Sequence, residues 1–300
     1  MNRSRSPLLL LLSSLWLLTS IQAMARDDIK DTVKRSFKVN EGGVLRIDVD
    51  QGNIEVMVTN DRAVYVEMER TLNVSNEAEA RRILEEHHQF EMRQEGNGVR
   101  ISSRYETDRS SWWRRRDNQF HVRFVIHVPA RFNIDFSTGA GNVTVAGVQG
   151  KVEGDTGAGN IKLGRVQGPV EISTGSGNVD LEGASGTIQV DTGAGNITLL
   201  NVQGNVEAST GAGNIIAHIL RQPDGNSTLE SGAGNVTVYL ADQVRLTVDA
   251  QAALGNASCD FPLRVEGKWM TKSFAGRING GGPTLSMSSG VGNVALLKKH

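Results

Sequence analysis

Carboxylates recurring at a fixed interval are the first residues in this 300-residue chain whose types and spacing could do chemistry. Glu153 and Glu171 stand 18 residues apart, Glu207 lies two such intervals further on, and Asp155 and Asp191 flank the row. If the interval is one repeat built of strands, Glu153 and Glu171 come about 4.8 Å apart at the backbone. That is near the ~5 Å carboxylate separation of a retaining glycosidase. The spacing is nonspecific, because any outward acidic position in stacked strands produces it. A glycosidase also needs a cleft that raises one carboxyl pKa, and small neighbours such as Ser173 imply a flat, wet face. A binding ladder is therefore the first reading of these residues, and a polysaccharide-active enzyme ranks behind it.

A second cluster, Trp112-Trp113-Arg114-Arg115-Arg116, sits in a polar stretch from Ser103 to Asn118. Two indoles beside three guanidiniums suit anionic headgroups, glycans or an acidic partner, through stacking and bidentate contacts. The plainer reading is a hairpin loop whose tryptophans fold back onto the domain. Histidines add little: His87 and His88 are neighbours on an expected helix and face apart, and His121 and His127 are too distant along a strand to share a metal. No metal or other cofactor is expected. Calcium-bound β-rolls also use 18-residue coils, but aligning the glycines puts Val143, Ile161, Val179 and Ile197 where their aspartates stand, and apolar atoms cannot ligate calcium. No nucleophile elbow, phosphate loop or paired CxxC occurs.

The elements that must position these residues come from a repeat. Between Ser137 and Leu240 the chain writes STGAGNV, DTGAGNI, STGSGNV, DTGAGNI, STGAGNI and ESGAGNV, with the first glycine at 139, 157, 175, 193 and 211 and then at 232 after a three-residue insertion around Pro223. A fixed period this short signals a solenoid. Within a unit, Val143 and Val145, then Val152, Gly154 and Thr156, alternate with polar residues, which is the period of a strand. Stacked units would bury Val143, Ile161, Val179, Ile197, Ile215 and Val236 as one ladder and Val152, Val170, Ile188 and Val206 as another. Parallel crossovers are right-handed in roughly 98% of cases, so the expectation is an all-β protein, a right-handed parallel β-helix with 18-residue coils. Asn142, Asn160, Asn178, Asn196, Asn214 and Asn235 would stack at one corner as a structural amide ladder. Three of them satisfy N-x-Thr, a match that follows from the repeat.

Composition agrees: 34 glycines with 5% aromatic residues fit a glycine-cornered β protein. Arg3 and Arg5, an apolar run from Leu8 to Leu18 and Ala23-Met24-Ala25 read as a cleaved secretory signal over residues 1–25. Removing Arg3 and Arg5 leaves 30 basic against 33 acidic residues, which does not favour nucleic acid as a partner. No other segment is apolar enough to span a membrane. Residues 26–136 read as a β-rich N-terminal capping region with one helix near 75–89, capped by Ser75 or Asn76 and apolar along Ala80, Ile83 and Leu84. Gly52-Asn53-Ile54-Glu55-Val56 repeats the solenoid grammar as an early, degenerate coil. Residues 137–248 are the solenoid and 249–300 a C-terminal cap, in which Gly290-Val291-Gly292-Asn293-Val294 restores the corner motif and Phe261 to Phe274 supplies bulky plug residues.

The TGAGN-type repeats and the ending GRINGGGPTLSMSSGVGNVALLKK, Gly276 to Lys299, resemble the bacterial putative-adhesin family of β-strand-repeat proteins, a domain of unknown function. The resemblance implies an exported, non-catalytic β-solenoid protein of the cell envelope, with attachment or envelope sensing as its role, and offers no catalytic motif to carry over. Without a sorting motif or lipidation cysteine, a periplasmic or released protein is expected. Its partners would be an envelope glycan, peptidoglycan or another envelope protein. The second-ranked role is an envelope-stress sensor that contacts a regulator through its cap or the Trp112 to Arg116 loop.

Overall fold

The computed structural model describes residues 27–74, 76–105, 120–263, 265–266 and 271–299. The expected signal peptide, the Trp112 to Arg116 cluster and the plug residues Trp269 and Met270 lie outside the described residues. Period-two alternation of apolar and polar side chains sets the architecture: among the described residues there are 25 strands and one helix. The strands form two sheets, of 12 and 13 strands. The chain is all-β and most of its pairings are parallel.

In the middle of the molecule the chain alternates between the sheets, one strand in each. Strand Val152–Ala158 lies between Phe132–Ala140 and Val170–Ser176, with Val152 opposite Ile134 and Val170. The next strand, Ile161–Val166, pairs in the other sheet with Val143–Val145 and Val179–Ala184. This 18-residue offset continues through Val170 opposite Ile188, and it lengthens where Glu207 pairs with Thr228. Val143, Ile161, Val179, Ile197, Ile215 and Val236 are fully buried in a row between the sheets. Burying each such side chain contributes about 1.5–3 kcal/mol relative to leaving it exposed, so every rung adds a comparable increment.

Two glycines make the corner between the sheets for different reasons. A Cβ on Gly157 would sit 2.5 Å from the carbonyl oxygen of Gly139 on the rung below, so the first glycine permits close approach. The second, Gly159, has φ of +151°, which side chains rarely adopt, and a Cβ there would be 2.0 Å from the Gly141 oxygen. Gly154 faces inward where its rung neighbours carry Phe136 and Ile172, and the Phe136 ring fills the space its side chain would need.

Seven strands and the helix precede this stack: β1 (Asp27–Lys38), β2 (Gly43–Gln51), β3 (Asn53–Thr59), β4 (Ala63–Val74), α1 (Glu77–His87), β5 (His88–Glu95), β6 (Gly98–Tyr105) and β7 (Phe120–Pro129). β2 and β3 form a rung continuous with the repeats, with Gln51 opposite Ala140 and Ile54 opposite Val143. β6 and β7 then stack in parallel on the far side of β2 and β3. Beyond them the pairing turns antiparallel, through β4 and β1 in one sheet and β5 in the other. α1 links β4 to β5 and so crosses from one sheet to the other at this end. Asn76 caps it, accepting the Glu79 N–H at 2.9 Å; Ala80, Ile83 and Leu84 are buried, and His88 leaves the helix in an extended conformation.

The C-terminal segment enters the stack out of chain order. Thr284–Val291 and Val294–Lys298 pair directly with Ser227–Ala233 and Val236–Leu240. Leu246–Leu254 and Ala257–Cys259, earlier in sequence, lie outside them. Residues 284–298, read from sequence as part of a cap, thus supply a rung, and Lys272–Ile278 pairs antiparallel with Leu246–Leu254 on one side and with Val265–Glu266, which ends the sheet, on the other.

Candidate binding surface

On the outward face of the 13-stranded sheet the register sets Asp135, Glu153, Glu171, Gln189 and Glu207 in one row. Ser137, Asp155, Ser173, Asp191 and Ser209 form the row beside it. The strands that carry them bury every second residue, which leaves these side chains toward solvent. Glu153 and Glu171 are direct neighbours, whereas Gln189 separates Glu171 from Glu207. The row therefore holds a three-carboxylate run with an amide after it.

Lys151, one residue before its strand, reaches both neighbours: its Nζ lies 2.6 Å from Glu153 and 3.0 Å from Glu171. The hydrogen bonds that its ammonium donates to the two carboxylates hold it above the usual lysine range. Burial, then the nearby Glu153, pushes the Asp135 carboxyl up, and Arg46, 3.6 Å away, opposes that. Asp191 accepts a 2.5 Å hydrogen bond from Ser209. Asp135, Glu153, Asp155, Glu171, Gln189 and Asp191 line a shallow depression of about 300 Å³. Together the two rows and Lys151 at their margin offer acceptors, hydroxyls and one shared cation at the spacing of stacked strands. Lys151 offsets one of the two negative charges of the Glu153–Glu171 pair that a two-carboxylate hydrolysis would use and occupies an oxygen of each.

The corner asparagines form a continuous column from Asn53 through Asn142, Asn160, Asn178, Asn196, Asn214, Asn235 and Asn293 to Asn256. Each side-chain oxygen accepts the backbone N–H of the next asparagine at 2.8–3.0 Å. Several also accept the next amide, as Asn142 does from Asn160 at 3.3 Å. The main bond is side chain to backbone rather than amide to amide. It supplies a partner for an N–H that the tight corner turns away from the sheet.

A polar cluster at the N-terminal end escaped sequence reasoning. Asp31 Oδ2 accepts from Arg70 Nε at 2.8 Å and Nη2 at 2.5 Å, Arg70 Nη1 lies 3.2 Å from His88 Nδ1, and His88 Nε2 lies 2.8 Å from Ser103 Oγ. A guanidinium only donates, so Nδ1 accepts and the imidazole proton sits on Nε2, facing the serine. That tautomer cannot take a proton from Ser103, so the pair is not an activated nucleophile. Burial, then the Arg70 charge, lowers the His88 pKa to about 4. The signal for this cluster was Arg70 itself, which interrupts the otherwise apolar inward row Val64, Val66, Met68, Leu72 and Val74. Among the described residues no group of three or more His, Cys, Asp or Glu side chains is arranged to hold a metal ion.

Fold and surface together define a class: a two-sheet stack of parallel rungs, capped at one end, with polar rows outside. The chain belongs to the Toastrack DUF4097 family, which it matches over residues 44–296. No curated protein matches it. Among solved structures, it is similar to a putative adhesin from Bacteroides fragilis, at 16% identity and a TM-score of 0.48, covering 89% of this chain and 97% of that one. It is also similar to a putative cell adhesion protein from Clostridium sporogenes, at 12% identity and a TM-score of 0.27, covering 91% and 100%. A putative lipid binding protein from Parabacteroides distasonis shares 10% identity at a TM-score of 0.38, over 90% and 97% of the two chains. Among the described residues no helix is long and apolar enough to cross a membrane.

Proposed function

We propose that this chain is an exported, non-enzymatic binding or scaffolding element of the bacterial cell envelope, periplasmic or secreted, built on a right-handed β-helix of 18-residue coils. Its mechanism is display. Rungs locked by parallel pairing and by the asparagine column hold outward rows at fixed spacing, and a ligand with its own repeat, a glycan strand or peptidoglycan, meets several rungs at once. The observation that carries this reading is the in-register row Asp135, Glu153, Glu171, Gln189, Glu207, with Lys151 shared between two of its members. Carboxylate and amide oxygens accept from sugar hydroxyls, and repeated weak contacts on a rigid frame add as avidity.

The test is co-sedimentation of the mature protein with purified peptidoglycan and with envelope polysaccharide. Saturable binding without release of soluble fragments is expected, weakened roughly tenfold in Glu153→Gln/Glu171→Gln while the thermal midpoint stays put. Fragment release that vanishes in the same variant would make the chain an enzyme, and absence of binding to either polymer would remove the glycan reading. Cell fractionation with protease added to intact cells checks export, expected as protection or digestion outside the cytoplasmic fraction.

A further inference from the structure

β1 ends the 12-stranded sheet and, among the described residues, pairs only with β4. At 12 residues it is far longer than the strands that end the other three margins: β5 has 8, Ala257–Cys259 has 3 and Val265–Glu266 has 2. Short margins are protected from pairing with another chain, and a long one is not. Its inward residues Ile29, Val33 and Phe37 are only half-buried, whereas the β4 residues opposite them, Leu72, Met68 and Val64, are fully buried. The apolar row stops there one rung short of cover.

We propose that β1 is a self-association edge, on which a second copy of this chain adds antiparallel in a register centred on Val33. The charges select that arrangement. Asp28 and Asp31 stand in the first half of the strand with one lysine, Lys30, between them, and the charges of the second half are all cations, Lys34, Arg35 and Lys38. Centring on Val33 sets Asp28 against Lys38, Asp31 against Arg35, Ile29 against Phe37 and Val33 against itself, each heterologous pair occurring twice by the two-fold axis. Lys30 meets Ser36 and Thr32 meets Lys34, so no like charges oppose each other. A shift by one residue would set inward side chains against outward ones. A parallel, in-register neighbour would place like charge on like. Charges that merely blunt an edge need no such division into halves. Both Arg70 bonds go to Oδ2 of Asp31, which leaves Oδ1 for Arg35 of the second copy.

Sedimentation equilibrium of the mature protein over a concentration series tests this, together with Lys38→Asp, Asp28→Lys and the double exchange. A monomer–dimer equilibrium is expected, with each single exchange raising the dissociation constant roughly tenfold, because two like-charged pairs replace two opposite ones. The double exchange recreates the pairs in reverse and is expected to return the constant to within about threefold of wild type. That rescue separates lost pairing from lost folding. A wild type that stays monomeric, a double exchange as weak as the singles, or a dimer indifferent to all three overturns the proposal.

Discussion

At the scale of single residues the fold is decided by a few positions with no freedom. Gly177 has φ of +153°, and a Cβ on it would lie 2.0 Å from the Gly159 oxygen. Gly177→Ala is therefore expected to cost about 3 kcal/mol or more in urea unfolding. Ser176→Ala next to it should change stability by less than ~0.5 kcal/mol, since the side chain is exposed and alanine holds the equivalent place in neighbouring rungs. His88 gives the molecule an acid-sensitive point. Its folded pKa, about 4, lies below the ordinary value of 6.5, so the folded state resists protonation that the unfolded chain accepts. Stability linked to His88 is complete above pH 6.5, falls as the pH drops toward 4, and levels off below that. The loss is at most about 3 kcal/mol. Urea melts at pH 7, 5.5 and 4 should show this slope in the wild type and lack it in His88→Gln, which starts less stable at pH 7 because the Arg70 and Ser103 bonds are weakened.

At the scale of elements, what could be read from the sequence depended on repetition. The corner phrase appears so often that its strands, turn and apolar ladders follow from alternation alone, and the same grammar at Gly52-Asn53 marks β2 and β3 as a rung of the stack. The neighbours Glu153 and Glu171 follow from the interval in the same way. Lys151 between them does not, because a side chain in the turn reaches the row only through its rotamer. The ends were less legible. Alternation places Arg70 on the inward side of β4, but nothing local says that its partner is Asp31 on a strand nearly forty residues earlier. The placement of Thr284–Val291 inside Leu246–Leu254 is likewise invisible, since any rung carrying the corner motif could bond to any other. α1 was recognisable by its apolar spacing, and its closing role follows only once β4 and β5 are known to lie in different sheets.

At the scale of the whole molecule, the stack behaves as a sum of rungs, each bonded only to its neighbours. Removing residues 170–187 takes out one complete rung and brings Val152 to pair with Ile188 instead of Val170, with Glu153 then facing Gln189. Every inward residue still meets an inward residue, and the asparagine column closes from Asn160 to Asn196. The shortened chain is expected to fold with an unchanged β-type circular dichroism spectrum and a thermal midpoint lower by only a few degrees. Removing residues 170–178 takes out half a rung. The chain must then send Val179–Ala184 to the wrong sheet and carry all later Gly-Asn corners to the opposite side of the stack, so this shorter deletion should fail to give a cooperative melt. The larger loss is the milder one only if register, rather than the amount of chain, holds the molecule together. Comparable behaviour of the two deletions in parallel melts would mean that the rungs are not the cooperative units.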